Sequence, residues 1–223
     1  MAQTDVDDAN DTKVLVALRV RPLSHKELED CNGEADVQIM DKRHVIVKIM
    51  PKSLDDPLRG NRHREKRYTF DYAFDEHTDQ AEIYNLTTRI LVDGVLEGFN
   101  ATVFAYGATG AGKTYTMIGT PDSPGIMVLT LQDLFERISK SDEANEFSFK
   151  VTFNYLEVYN ENIQDLLSPS SVYLDLREDP VKGMCVAGIS DWEVSSAADI
   201  LELLRRGNRH RSQVTSLGST TAG

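Results

Sequence analysis

The sequence predicts an α/β fold carrying a phosphate-binding loop, on three observations. Short apolar, β-branched runs suited to strands alternate with segments whose apolar residues recur at helical spacing. One such run, residues 101–106, leads straight into Gly107-Ala-Thr-Gly-Ala-Gly112-Lys113-Thr114, a complete GxxxxGK[ST] pattern. The chain's 223 residues, 40% hydrophobic and 27% charged, have the composition of a globular protein of one-domain length.

Residues 1–12 are acidic and polar and read as a disordered tail ahead of a domain over 13–211, with 212–223 as a flexible C-terminal tail. Residues 14–21 have the content of a buried first strand, stopped by Pro22. Two short strands are expected around residues 41–44, and 51–67, polar and punctuated by Pro and Gly, reads as a long basic loop. Residues 68–71 form a brief strand. A helix follows over 79–96, with Ile83, Leu86, Ile90, Leu91 and Val95 on its apolar side and Asp79 as its cap.

After the strand at 101–106 the chain can turn helical from Lys113, and 126–139 reads as another helix. Residues 147–159 alternate as one long strand, 162–167 reads as a short helix ended by Pro169, and 172–176 with 184–189 resembles a hairpin. Residues 196–206 are amphipathic, with Ile200, Leu203 and Leu204 on one side and Gly207 as the stop.

Charge and composition exclude several functions. With 24 Lys and Arg against 36 Asp and Glu, the net charge of −12 repels phosphate backbones, so no nucleic-acid partner is expected. No apolar run approaches the roughly 20 residues a membrane-spanning helix needs, and the acidic start has no leader pattern, so no membrane is expected and a cytoplasmic place fits. Only Cys31 and Cys185 occur, far apart, and the five histidines are scattered, so no zinc site is expected.

The glycine-rich pattern carries the chemistry. Its four fixed positions would coincide by chance in roughly one sequence of this length in a hundred. Gly107, Gly110 and Gly112 let the backbone curl with N–H groups inward, Lys113 reaches the β/γ-phosphates, and the Thr114 hydroxyl can ligate Mg²⁺. A nucleoside triphosphate with Mg²⁺ is the ligand this implies. Hydrolysis also needs a carboxylate on a second strand, for which Asp175 and Asp191 are weak candidates beside the reading of each as a solvated acid. A small-molecule kinase would need paired arginines over the phosphates. Arg205, Arg206, Arg209 and Arg211 are the only such cluster, and they read better as cations near a helix C-terminus.

Phe104-Ala-Tyr-Gly-Ala-Thr-Gly-Ala-Gly-Lys-Thr-Tyr-Thr-Met117 closely resembles the phosphate loop of kinesin motor domains. Val16-Ala-Leu-Arg-Val-Arg-Pro22 is similar to the family's RxRP strand, and Phe70-Asp-Tyr-Ala-Phe-Asp75 to its FDxxF segment. Glu97-Gly-Phe-Asn100 resembles its approach to the loop, and Tyr155-Leu-Glu-Val-Tyr-Asn-Glu161 with Asp165-Leu-Leu167 its ExYNExxxDLL block. The GATGAGKT wording and Leu176-Arg-Glu-Asp179 look most like the kinesin-8 group.

The resemblance implies a motor core with a mixed central sheet and helices on both faces, ATP and Mg²⁺ as cofactors, microtubules (tubulin) as partner, and a cytoskeletal location. It implies a nucleotide site of Gly107, Ala108, Thr109, Gly110, Ala111, Gly112, Lys113, Thr114 and Tyr115, with Thr114 on the metal. Arg19, Arg21 and Pro22 would border the adenine; the residues alone allow the plainer reading that the arginines alternate outward from a strand. Tyr115 stands where many kinesins have histidine. Glu157 and Asn160 are expected to be scaffold. A long basic loop resembling that of kinesin-8 motors would gather Lys42, Arg43, Arg62, Arg64, Lys66 and Arg67 against the acidic microtubule; the residues alone equally allow a solvated loop.

The family's NxxSSRSH and DxAGSE switch motifs do not occur in these 223 residues. The expectation is a motor core truncated before the switch regions, holding nucleotide without turning it over and poorly stable alone. The competing expectation is a non-enzymatic nucleotide- or partner-binding protein.

Overall fold

The computed structural model describes residues 14–30, 36–49, 64–143, 148–168, 172–181 and 183–218. These described residues divide into two compact units, the first ending at Ile126 and the second beginning at Met127.

The first unit contains β1 (Ala17–Arg19), α1 (His25–Asp30), β2 (Val37–Ile39), β3 (His44–Ile49), β4 (Arg64–Thr69), β5 (Tyr72–Phe74), α2 (Gln80–Thr87), α3 (Arg89–Leu96) and α4 (Lys113–Met117). β2, β3 and β4 make an antiparallel sheet, and β1 pairs with β5 in parallel, Leu18 opposite Ala73. The β2–β3 turn closes because Asp41 accepts hydrogen bonds from the backbone N–H groups of Arg43 and His44, each at 2.8 Å. Residues 64–69 and 72–74 are nearly one extended run that changes neighbours: Phe70 N–H donates to the Arg43 carbonyl and Asp71 N–H to the Val16 carbonyl. The buried residues of the first unit include Val45, Ile46, Ala73, Phe74, Ile83, Tyr84 and Val92.

Four expectations for this unit change. The first strand covers Ala17–Arg19 only, and Val14, Leu15 and Val16 are exposed, because β5 is its only ladder partner among the described residues. The basic loop is shorter than 51–67, since 64–67 belong to β4 in register with β3, while Arg62 and the Arg64 side chain lie outside the described residues. Residues 101–106 form no strand: among the described residues no ladder reaches them, and Phe104 and Tyr106 are 74% and 96% exposed. The helix at 79–96 forms as α2 and α3, divided at buried Thr88, and Asp79 caps it by accepting from the Glu82 N–H at 2.7 Å.

α5 (Ile126–Glu143) extends from the end of the first unit through the start of the second. The second unit continues with β6 (Val151–Phe153), β7 (Leu156–Tyr159), β8 (Asn162–Asp165), β9 (Asp175–Asp179), β10 (Gly183–Ala187), β11 (Trp192–Val194) and α6 (Ala197–Gly218). Its core is Val194, Ile200 and Leu204, packed by Leu131, Phe135, Phe153, Tyr155 and Leu203 among others. The single strand expected over 147–159 breaks at Asn154, whose amide donates to the Ser190 carbonyl and to Asp191. The short helix expected at 162–167 is instead strand β8, paired with β7 across a turn in which Asn160 and Glu161 have φ of 48° and 65°. Two successive left-handed residues make the tight turn that matches strand twist, so the chain reverses into a hairpin.

Gly207 does not stop α6, which runs on to Gly218, through most of the stretch read as a flexible tail. Its lack of a side chain serves close packing: a Cβ there would lie 2.4 Å from Tyr155 Cδ1 and 3.2 Å from Leu166 Cβ. Tyr155 in turn donates its hydroxyl to Asn208 at 2.8 Å, and His210 Nδ1 meets the Leu166 carbonyl. Beneath them, buried Asp165 accepts from the backbone N–H groups of Leu167, Ser168 and Ser190 and from the Ser190 hydroxyl. The hairpin expected at 172–176 and 184–189 forms as β9 and β10, its first strand three residues later than expected. No described helix is long and apolar enough to cross a membrane.

Candidate phosphate-binding site

The loop at 107–114 is shaped by its glycines. Gly110 and Gly112 sit at φ of 81° and 90°, a region closed to most side chains, and a Cβ on Gly107 would press on that of Ala111 at 3.1 Å. The resulting curl leaves the backbone N–H groups of Gly110, Gly112, Lys113, Thr114 and Tyr115 without a protein acceptor among the described residues. Successive free N–H groups on a curled backbone form an anion-binding concavity. α4 is only five residues long, so this nest and the lysine, rather than a long helix dipole, supply the positive potential.

Lys113 crosses the loop. Its ammonium donates to the carbonyls of Gly107 and Ala108, both at 2.8 Å. An ammonium has three donors, so one remains for an anionic oxygen held at the same place. The residues present therefore fit a polyphosphate: backbone donors on one side, one cation, and the exposed Thr114 hydroxyl beside them as a hard oxygen ligand for Mg²⁺.

Next to the loop lies a cavity of about 480 Å³ lined by Arg19, Arg21, Pro22, Ala111, Gly112 and Tyr115 among others. Of the residues singled out in the sequence, these line the cavity, while Gly107, Ala108, Thr109, Gly110, Lys113 and Thr114 form the adjoining loop.

Neither arginine points freely outward. The Arg19 guanidinium stacks over the Tyr115 ring at 5.1 Å and donates to Gln80 Oε1 at 2.8 Å, Thr116 Oγ1 at 3.1 Å and the Thr78 carbonyl. Burial holds it below its ordinary pKa, with Tyr115 opposing that shift. Arg21 turns instead to α1, where its two terminal guanidinium nitrogens, Nη1 and Nη2, donate to the Glu27 carboxylate. Arg21 and Ser24 hold the Glu27 carboxyl well below the usual carboxylate range.

Ser24 and Glu27 are a reciprocal capping box, each side chain bonded to the other's backbone N–H, a signal present in the sequence but not used above. Gln80 was also missed, and no local pattern could have shown it, because its partners are far away in the chain. Asp175 is paired with Arg177 at 3.0 Å and Asp191 accepts from Asn154, so each is engaged locally.

Comparison with known proteins places the chain in a family. A model of the kinesin motor domain matches residues 19–221. The mouse kinesin-like protein KIF19 is 46% identical over 218 residues, which is 98% of this chain and 22% of that protein. The rice kinesin-like protein KIN-8A is 43% identical over 205 residues, 92% of this chain and 26% of its own length. Among solved structures, a fast kinesin superposes with a TM-score of 0.78 at 33% identity, covering 89% of this chain and 53% of that one. A KIF14 dimer in its two-heads-bound AMP-PNP state on a microtubule gives 0.75 at 33% identity, covering 90% and 55%. The chain thus spans about a fifth to a quarter of the curated relatives it matches.

Proposed function

Because the chain belongs to the kinesin motor-domain family, we propose that it is the part of a microtubule motor that holds Mg-ATP. The observation that carries this is the curled loop at 107–114, with its unpartnered N–H groups and the Lys113 ammonium across its mouth. The loop's N–H groups and Lys113 hold the β- and γ-phosphates, and Thr114 offers its hydroxyl to Mg²⁺, which when bound neutralises phosphate charge. Arg19, Arg21, Pro22 and Tyr115 form the wall for the adenine: Tyr115 and the Pro22 ring give flat apolar contact, and the two arginines act mainly as scaffold, since Gln80 and Glu27 already engage them.

Turnover is a separate matter. Orienting an attacking water and completing the metal's shell fall, in this family, to the NxxSSRSH and DxAGSE motifs, which these 223 residues do not contain. The proposed activity of this chain is nucleotide binding, with microtubule-stimulated hydrolysis belonging to a motor that carries those motifs.

A fluorescent ATP analogue titrated with Mg²⁺ should bind saturably, and Lys113→Ala should abolish that binding while leaving the thermal melt unchanged. Equal affinity in wild type and Lys113→Ala would overturn the assignment.

A further inference from the structure

Gln80, the first residue of α2, is 2% exposed and does not line the cavity, yet both ends of its amide are committed to residues that do, Arg19 and Tyr115. Its Oε1 accepts from Arg19 at 2.8 Å and its Nε2 donates to the Tyr115 carbonyl at 2.6 Å. The amide fits only one way round, since a guanidinium can only donate and a carbonyl only accept. One buried side chain therefore ties β1, through Arg19, to the first turn after the phosphate loop, through Tyr115. It also fixes the face on which the guanidinium lies over the Tyr115 ring.

Resting on the nucleotide reading above, we infer that Gln80 is a positioning residue that sets the site's preference for a base-bearing nucleotide over a bare polyphosphate. The phosphate loop has its own donors, in its backbone and Lys113, and does not need Gln80 for them. The wall beside it does: without the amide, Arg19 keeps Thr116, the Thr78 carbonyl and its contact with the Tyr115 ring, and the Tyr115 carbonyl loses its bond to Gln80. The ring and guanidinium then sample other arrangements, and a base gains less from stacking there. Preorganised contacts are the ones that yield affinity, because their ordering cost is met before the ligand arrives.

The test compares ATP with inorganic tripolyphosphate, each with Mg²⁺, on the whole chain by calorimetry. Gln80→Met keeps side-chain length and removes both hydrogen bonds. It should weaken ATP about tenfold and change tripolyphosphate by less than about twofold, so that the ratio of the tripolyphosphate dissociation constant to the ATP dissociation constant falls about tenfold. A merely structural role would weaken both ligands equally, and that result, like an unchanged ratio, overturns the inference. If Gln80→Met does not fold, Gln80→Glu keeps the acceptor for Arg19 and loses the donor to Tyr115. A fall of about threefold or more in its ratio supports the inference, and a smaller one overturns it. Failure of the unsubstituted chain to bind ATP removes the site assignment and this inference together, whereas ATP binding with an unchanged ratio in the variant removes the inference alone.

Discussion

Gly207→Ala should destabilise the protein although it replaces a glycine within a helix by the best helix former. Gly207 lies well inside α6, so on helix preference alone the substitution should gain up to about 1 kcal/mol. The added methyl would instead lie 2.4 and 2.8 Å from the Tyr155 ring atoms Cδ1 and Cε1 and 3.2 Å from Leu166 Cβ. Leu166 is 1% exposed and cannot give way, so the ring must move. Such overpacking costs about 1–3 kcal/mol. A displaced ring also stretches the 2.8 Å bond from Tyr155 to Asn208, about 1 kcal/mol more. The balance is a loss of about 2 kcal/mol, which for a chain of this length lowers the melting temperature by about 4–8 °C. Thermal unfolding followed by circular dichroism measures it, and a double-mutant cycle with Tyr155→Ala isolates the cause. With the ring gone, Gly207→Ala should become neutral or stabilising. A rise in melting temperature in the wild-type background would refute the packing argument, as would an equal fall in both backgrounds.

Thr114→Ala should leave nucleotide affinity in EDTA unchanged and remove most of the gain that Mg²⁺ gives the wild type; an undiminished gain would take Thr114 off the metal. For Asp165, burial pushes the carboxyl up, but the bonds from Ser190, Leu167 and Ser168 outweigh it and hold it below its ordinary pKa. A depressed folded-state value means stability present at neutral pH and lost as pH falls below about 4, so Asp165→Asn should flatten the acid limb of the stability curve measured by urea unfolding. Microtubule co-sedimentation, if carried by Lys42, Arg43, Lys66 and Arg67, should fall steeply between low and physiological salt, and binding that survives charge reversal at Lys66 and Arg67 would exclude them.

What the sequence revealed and what it hid follow from the reach of each interaction. The phosphate loop was legible because its determinants are contiguous: glycines, lysine and threonine act on their own backbone. Asp79 was legible for the same reason, since a cap bonds three residues ahead. Residues 162–167 misled because Ile163, Leu166 and Leu167 fall at helical spacing, whereas the left-handed pair at Asn160 and Glu161 decides the local structure. Gly207 looked like a helix stop because a glycine that ends a helix and one that admits a neighbour are identical in sequence. The neighbour, Tyr155, comes from a different part of the chain. Residues 101–106 have the composition of a strand, but a strand needs a ladder, and composition says nothing of whether one is beside it.

The parallel pairing of β1 with β5 has a bearing on the order in which the first unit folds. β3 and β4 meet as sequence neighbours, whereas Val16 must find Asp71 across a separation of 55 residues, and Arg19 must find Thr116 across 97. The entropy of closing such loops is lost before their contacts return anything, so local antiparallel pairs form early and these crossings late. The bonds by which Gln80 ties Arg19 and Tyr115 together are all late crossings, while the loop at 107–114 beside them is made of adjacent residues. The curl of the loop would thus be set before the cavity wall beside it, and β1 would be the last piece to dock in the first unit.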